Sequence, residues 1–229
     1  PLISNMKEIQ CLITPCPNDT LAILPWLLGK IEYTVPIKCD FSALETNNHI
    51  AKTDTTYDLI KLSYANFKKI HQYEPIAPGS AITQSNGPLI ICKHQNLNKH
   101  PSDMIIGIPG HTTTATYLLR KFYPPFKKEV VLWHSNKEQN QLLSNFSTNS
   151  DAPYGSLLHA LETDHIDAAL VIHELQFMLG SSTQFSIYGS LMNLWKKHCK
   201  VPLPLGGLFV KRNATNKHTI VEHLNRSIN

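Results

Sequence analysis

The sequence lacks the long uniform runs that identify several classes of protein. No apolar run approaches the roughly 20 residues that a membrane-spanning helix needs, and no block of Lys and Arg exceeds two residues. We find neither an internal repeat nor a low-complexity tract. We therefore expect no membrane partner and no nucleic-acid partner, because nucleic-acid binding would require clustered basic charge.

Cysteine is also sparse. The five cysteines are widely spaced and form no Cys-x-x-Cys pair, which argues against both a disulfide framework and a cysteine zinc site. The first residues show no basic segment followed by a long apolar one, as an export signal would. We therefore predict reduced thiols, no metal and a cytoplasmic localisation.

What the sequence does contain is an ordinary globular composition. Of its 229 residues, 42% are hydrophobic and 17% are charged, so a buried core is expected. The formal net charge of +4 is small, yet it can still steer a small anion.

Short apolar runs alternate with amphipathic stretches, a pattern typical of an α/β fold with largely parallel strands. For example, Ile9 to Ile13 predicts a strand and Thr20 to Leu28 predicts a helix. A second α/β series begins near residue 87. We therefore predict two lobes, residues 1–86 with 200–229 and residues 87–199, and a ligand cleft between them.

The segment Pro15 to Thr20, PCPNDT, joins the first predicted strand to the first helix. Pro17 restricts the backbone, and Asn18 or Asp19 suits an N-cap. Helix N–H groups at such a junction can receive an anion or a polar ligand. The alternative is a capped structural turn. Cys16 has no nearby histidine in the sequence, which argues against a nucleophile.

Two further strand-to-helix junctions carry polar groups. Lys61 and Ser63 lie where a strand ends, which is the ligand-binding edge of open α/β sheets; alternatively, they are a solvated lysine and a serine N-cap. Residues 112–114, three threonines after Gly110, supply hydroxyls that suit a carboxylate. Polar capping alone would explain one of these threonines.

His173 and Glu174 end a hydrophobic strand. A lone histidine is more often structural than catalytic. Histidine nevertheless titrates near neutrality, which suits a general base. The pair is not followed by the second histidine of a zinc-protease helix.

Taken together and in this order, these stretches resemble the 1,4-dihydroxy-6-naphthoate synthase family of the futalosine route to menaquinone. The likeness covers nearly the whole chain. The matching stretches are Thr14–Thr20, Asp58–Ala65, Gly87–Ile90, Ile108–Ala115, Asp167–Glu174 and Pro202–Gly207.

The resemblance implies a type II periplasmic-binding-protein-like fold of two α/β lobes. It also implies a bacterial, cytoplasmic, cofactor-free carbon–carbon lyase. The small-molecule carboxylate substrate would be cyclic dehypoxanthine futalosine, and the product 1,4-dihydroxy-6-naphthoate. The same resemblance makes His173 the general base. The substrate contacts it implies are Lys61, Leu62, Ser63, Thr113 and Thr114. We add Asn18, at the PCPNDT helix start, as a further candidate contact.

Two alternatives remain open at this point. A non-catalytic small-anion binding protein has the same architecture, since fold alone does not define function. Such a receptor should carry an export signal and needs no general base. A chorismate dehydratase of the same pathway and fold is the other alternative, although the PCPNDT and IHE stretches fit it less well. The sequence predicts no particular oligomeric state.

Overall fold

A computed structural model of the protein describes residues 7–132, 155–172 and 184–228. The chain divides into two compact units. Unit 1 comprises Pro1–Ala81 and Pro204–Asn229, and unit 2 comprises Ile82–Leu203. In the described part of the chain, no helix combines the length and the apolar character that crossing a membrane requires.

The first sheet is built on unit 1. Its strands are β1 (Ile9–Ile13), β2 (Ile37–Phe41), β3 (Leu59–Ser63), β4 (Tyr73–Pro75), β5 (Ala81–Thr83) and β11 (Leu203–Lys211). The strand order is β2-β1-β3-β11-β4, and β5 pairs with β11. The helices of the unit are α1 (Pro17–Leu27), α2 (Leu44–Thr53), a 3-10 helix (Tyr64–Lys69) and α6 (Lys217–Ile228).

Strands β1, β2 and β3 are parallel, so their carboxyl ends meet at one edge of the sheet. Strand β11 is antiparallel to β3, with Gly206 opposite Ser63. The start of β11 therefore lies at the same edge. We call the ends of β1, β2 and β3 together with the start of β11 the first carboxyl edge.

Helices cover both faces of the first sheet. On one face, Ile23 and Trp26 of α1 share a buried cluster with Ile220 and Leu224 of α6. On the other face, Ala51 of α2 packs in a second buried cluster with strand residues. Because both faces are covered, β3 is buried along its whole length.

Helix α1 begins three residues earlier than the sequence predicted. Its first residue is Pro17, and Cys16 occupies the N-cap position. Proline is favoured there because its fixed φ suits a helix and its missing N–H would have no partner in the first turn. The prediction of Asn18 or Asp19 as N-cap is therefore wrong, and both residues belong to the first turn of α1.

The second sheet lies in unit 2. Its strands are β6 (Leu89–Lys93), β7 (Ile105–Ile108), β8 (Lys128–Val131), β9 (Ala168–Val171) and β10 (Phe185–Ser190), in the order β10-β6-β9-β7-β8. The α-helices described in this unit are α3 (Thr114–Phe122), α4 (Gly155–Glu162) and α5 (Leu191–His198). Leu157 and Leu161 of α4 pack in a buried cluster with residues of the sheet.

Strands β7, β8 and β9 are parallel, and their carboxyl ends share an edge. Strand β6 is antiparallel to β9, with Leu89 opposite Val171, so the start of β6 joins that edge. We call the ends of β7, β8 and β9 together with the start of β6 the second carboxyl edge.

Candidate functional site

In their described residues, the six stretches that resemble the synthase family each reach one of the two carboxyl edges. Three are at the first edge, namely residues 14–20 after β1, 58–65 along β3, and 202–207 at the start of β11. Three are at the second edge, namely residues 87–90 at the start of β6, 108–115 after β7, and 167–172 along β9, where the described part of that stretch ends. Ligands of open α/β sheets bind at such edges, so the topology makes both of them candidate site surfaces.

A buried ion pair dominates the first carboxyl edge. The Lys61 Nζ lies 2.5 Å from Asp19 Oδ1. The Thr14 hydroxyl donates to the other carboxylate oxygen, Asp19 Oδ2, at 2.5 Å. All three residues are buried, with Lys61 only 5% exposed. The carboxylate thus joins the end of β1, the first turn of α1 and strand β3.

This arrangement overturns one of the two interpretations of Lys61. The interpretation of Lys61 as a solvated lysine is wrong, because the Lys61 ammonium is buried and paired with Asp19. A charge in a protein interior needs such a partner, since its desolvation otherwise costs several kcal/mol. Asp19 itself was missed as a site residue, because in the sequence it resembles an ordinary capping aspartate.

Two adjacent asparagines of α2 hold the end of β3. The Asn48 Oδ1 accepts from the backbone N–H of Ser63 at 3.0 Å, and Asn48 Nδ2 donates to Ser63 Oγ at 3.2 Å. The Asn47 side chain accepts from the Ser42 hydroxyl and donates to the Lys61 carbonyl oxygen at 3.2 Å. Both amides are fully buried. These contacts hold the backbone of Lys61 and Ser63 at the edge, and their sequence signal is the Asn-Asn pair.

Ser63 occupies the N-cap position of the 3-10 helix Tyr64–Lys69, but its side chain makes no capping hydrogen bond, so the interpretation as a serine N-cap holds for its position only. Its hydroxyl is engaged by Asn48. The side chain of Leu62 belongs to the buried cluster of α2 and the first sheet, so this residue meets the edge through its backbone.

Asn18, the further candidate contact, is exposed on the first turn of α1.

The start of β11 comes very close to β3. A Cβ atom on Gly206 would lie 3.0 Å from the Leu62 carbonyl oxygen and 3.4 Å from Lys61 Cε. A Cβ atom on Gly207 would lie 2.7 Å from Tyr64 Oη. The absence of side chains at both positions therefore makes room for Lys61 and Tyr64.

Among the residues that the structure describes, the buried polar groups at the second carboxyl edge include neutral threonine hydroxyls. Thr113 is the N-cap of α3, and its hydroxyl accepts from the backbone N–H of Thr116 at 3.3 Å. The same hydroxyl donates to the Gly110 carbonyl oxygen at 3.2 Å. Thr113, Thr114 and Thr116 are all buried. One threonine thus caps the helix, as the structural interpretation required, and the others add hydroxyls beside it.

An exposed cluster supports this threonine loop from outside. Arg120 of α3 forms two hydrogen bonds to Glu129 of β8, at 3.1 and 2.5 Å. Arg120 also donates to the carbonyl oxygen of His111, at 3.1 Å. Because His111 precedes the threonines directly, the cluster ties the loop to both α3 and β8.

The predicted site residues therefore fall into two groups, each within its own unit. Lys61, Leu62 and Ser63 lie together on β3, and Thr113 and Thr114 lie together at the start of α3. The predicted base His173, with Glu174, lies outside the described residues. Among the residues that are described, no group of three or more His, Cys, Asp or Glu side chains could hold a metal ion.

The buried cysteines behave as packing residues. Burial, with the neighbouring Cys39 thiol, raises the pKa of Cys11 well above its usual value. Burial also raises the pKa of Cys92 to about 11. Both thiols therefore remain protonated near neutrality and are poor nucleophiles.

Solved structures identify the class of fold. Protein AF1704 from Archaeoglobus fulgidus superposes with a TM-score of 0.76 at 22% identity, over 96% of this chain and 74% of that one. The alkanesulfonate-binding protein SsuA from Xanthomonas axonopodis pv. citri gives 0.62 at 11% identity, over 96% and 71%. The predicted α/β, periplasmic-binding-protein-like fold is confirmed.

Sequence relatives are more specific. The chain is 26% identical over 216 residues to a 1,4-dihydroxy-6-naphthoate synthase of Thermus thermophilus, covering 91% of this chain and 68% of the relative. It is 22% identical to a synthase of the same name from Streptomyces coelicolor, covering 90% and 66%. The chain thus spans about two thirds of the length of both relatives.

A family model described as menaquinone biosynthesis matches residues 142–229. Together with the two relatives, this match confirms the resemblance to 1,4-dihydroxy-6-naphthoate synthase. The match and the two relatives also support the assignment of this chain to an enzyme of menaquinone biosynthesis.

Proposed function

We propose that this protein is a carbon–carbon lyase that converts cyclic dehypoxanthine futalosine to 1,4-dihydroxy-6-naphthoate. The observation that carries the proposal is the similarity to two synthases of that name over 91% and 90% of the chain. The placement of the described parts of these stretches at the carboxyl edges is consistent with it, because that is where such folds bind small molecules.

In this proposal His173 is the general base. It follows the last residue of β9, Val171, by two positions in the sequence. Its neutral imidazole would take a proton from the cyclised precursor. The electron pair that this proton leaves on the precursor would drive cleavage of the carbon–carbon bond to the sugar-derived fragment. Formation of the aromatic ring favours this step, and a positioned base typically contributes about 10² to 10⁴-fold in rate.

We propose donors for a substrate carboxylate at each edge, considered by itself. At the first edge, the Ser63 hydroxyl accepts from Asn48 and keeps its own hydrogen to donate. At the second edge, Thr113 and Thr114 supply hydroxyl and N–H groups at the start of α3. Helix N-termini favour anions for this reason. Asn18, exposed on the first turn of α1, is a further proposed contact.

The decisive experiment is incubation of the purified protein with cyclic dehypoxanthine futalosine, followed by mass detection of dihydroxynaphthoate. Product above the no-protein control supports the lyase. Binding of the substrate without turnover would instead favour the non-catalytic binding protein. Turnover of chorismate in a parallel assay would favour the dehydratase.

The base is tested by His173→Ala, which should bind substrate but lose turnover by about 10² to 10⁴-fold. His49→Ala is the matched control, because the His49 side chain is 62% exposed on α2 and lies outside the proposed site. Full activity of His173→Ala would refute the assignment of the base.

A further inference from the structure

The ammonium group of Lys61 is already paired inside the protein. A lysine that recognises a substrate carboxylate through its free charge would present its ammonium to solvent. Here Lys61 is 5% exposed and its Nζ lies 2.5 Å from Asp19 Oδ1. Any contact that Lys61 makes to a ligand must therefore use the N–H bonds that remain after the one directed at Asp19.

Asp19 is held as firmly as the lysine it binds. Its second oxygen, Oδ2, accepts from the Thr14 hydroxyl at 2.5 Å, and the residue is 7% exposed. Asp19 lies in the first turn of α1, where a negative charge is favoured by the helix dipole. The carboxylate therefore has one position, set by α1 and by the end of β1.

The stem of Lys61 is confined from the opposite direction. A Cβ atom on Gly206 would lie 3.4 Å from Lys61 Cε, so β11 passes just beside the side chain. The backbone of Lys61 is held through its carbonyl oxygen, which accepts from Asn47 Nδ2. The position of the ammonium is thus determined by Asp19 at its tip and by the two neighbouring elements along its length.

We propose that Asp19 is a positioning residue that holds the Lys61 ammonium at the first carboxyl edge and neutralises its charge. The proposal rests on the proposed function, and it takes Lys61 as a substrate contact, as the resemblance to the synthase family implies. The charge of Lys61 is matched internally, so the substrate would be recognised by directed hydrogen bonds. A displaced ammonium should then weaken substrate binding and leave the chemical step, which belongs to another residue, largely intact.

Asp19→Asn tests this inference, because the amide keeps the size of the carboxylate and removes its charge. We expect KM to rise by about tenfold, the cost of one charge-assisted hydrogen bond, and kcat to change by less than about threefold. An unchanged or lowered KM would overturn the proposal.

A double variant separates positioning from stability. Asp19→Asn with Lys61→Met removes both charges, so it should regain the thermal stability that Asp19→Asn loses. Its KM should nevertheless stay raised, because the ammonium is absent. If KM returned to the wild-type value together with stability, the pair would be purely structural and the proposal would be wrong.

A second readout does not depend on turnover. Amine acylation under native conditions, followed by peptide mass analysis, should label Lys61 slowly in the wild-type protein and at least about tenfold faster in Asp19→Asn. The exposed Lys68 serves as the internal control. Equal labelling of Lys61 in both proteins would show that Asp19 does not hold it. If the wild-type protein makes no naphthoate, the proposed function fails, and this labelling still tests the hold of Asp19 on Lys61.

Discussion

The two carboxyl edges arise from the same topology but are built with different chemistry. At the first edge, Asp19 and Lys61 form a buried ion pair. At the second edge, the buried polar groups in the described part of the chain are the neutral hydroxyls of the threonines around Thr113, and the ion pair between Arg120 and Glu129 lies towards solvent. Parallel strands thus decide where polar groups gather, whereas the side chains decide whether the edge contains a buried charge.

The difference predicts a graded response to mutation. Removing one partner of a buried pair leaves an uncompensated charge, which is the most costly defect. Removing a neutral buried partner leaves only an unsatisfied hydrogen-bonding group. Removing a partner of an exposed pair costs least, because water screens the charge that remains.

The largest effect is expected from Asp19→Ala. It leaves the buried Lys61 ammonium without its carboxylate, and we expect the free energy of unfolding to fall by about 3–5 kcal/mol. Denaturant unfolding measures this loss. A decrease below about 1 kcal/mol would mean that the pair behaves like an exposed one, and the contrast between the edges would disappear.

Asn48→Ala should have the next largest effect. It removes both hydrogen bonds to Ser63 and leaves a buried backbone N–H unpaired, which should cost about 1–3 kcal/mol. The matched control is His49→Ala, because His49 is the next residue of α2 and its side chain is exposed. Similar losses in the two variants would contradict the role given to Asn48.

At the second edge, Thr113→Val should cost about 0.5–2 kcal/mol, because it keeps the shape but loses the cap of α3. Thr113→Ser, which retains the hydroxyl, is the control and should stay near the wild-type stability. Thermal unfolding of both variants measures the difference. A stable Thr113→Val would show that the cap contributes little.

The smallest effect is expected from Glu129→Gln. The ion pair with Arg120 is partly exposed, so its loss should cost about 0.2–1 kcal/mol and should shrink at high salt. Unfolding at low and high ionic strength measures both quantities. A loss as large as that of Asp19→Ala would contradict the distinction between buried and exposed pairs.

Much of the fold could be predicted from the sequence because it depends on local patterns. The alternation of apolar runs and amphipathic stretches is a local property of the chain, and it predicted an α/β fold. The junctions at PCPNDT, at Lys61 to Ser63 and at the threonines were also recognisable, since each combines a strand end with polar residues. The start of α1 was predicted three residues late, because Asn18 and Asp19 are good caps and Pro17 is a better first residue.

The sequence by itself determined which residues stand at the ends of strands, since the strand period and the turn residues are read along the chain. Only the tertiary structure decided that Lys61 is buried and that Asp19 is its partner. The two residues are 42 positions apart, as their numbers show, and no local pattern relates them. The pairing follows from the position of α1 against β3, and burial then makes an opposite charge a physical requirement.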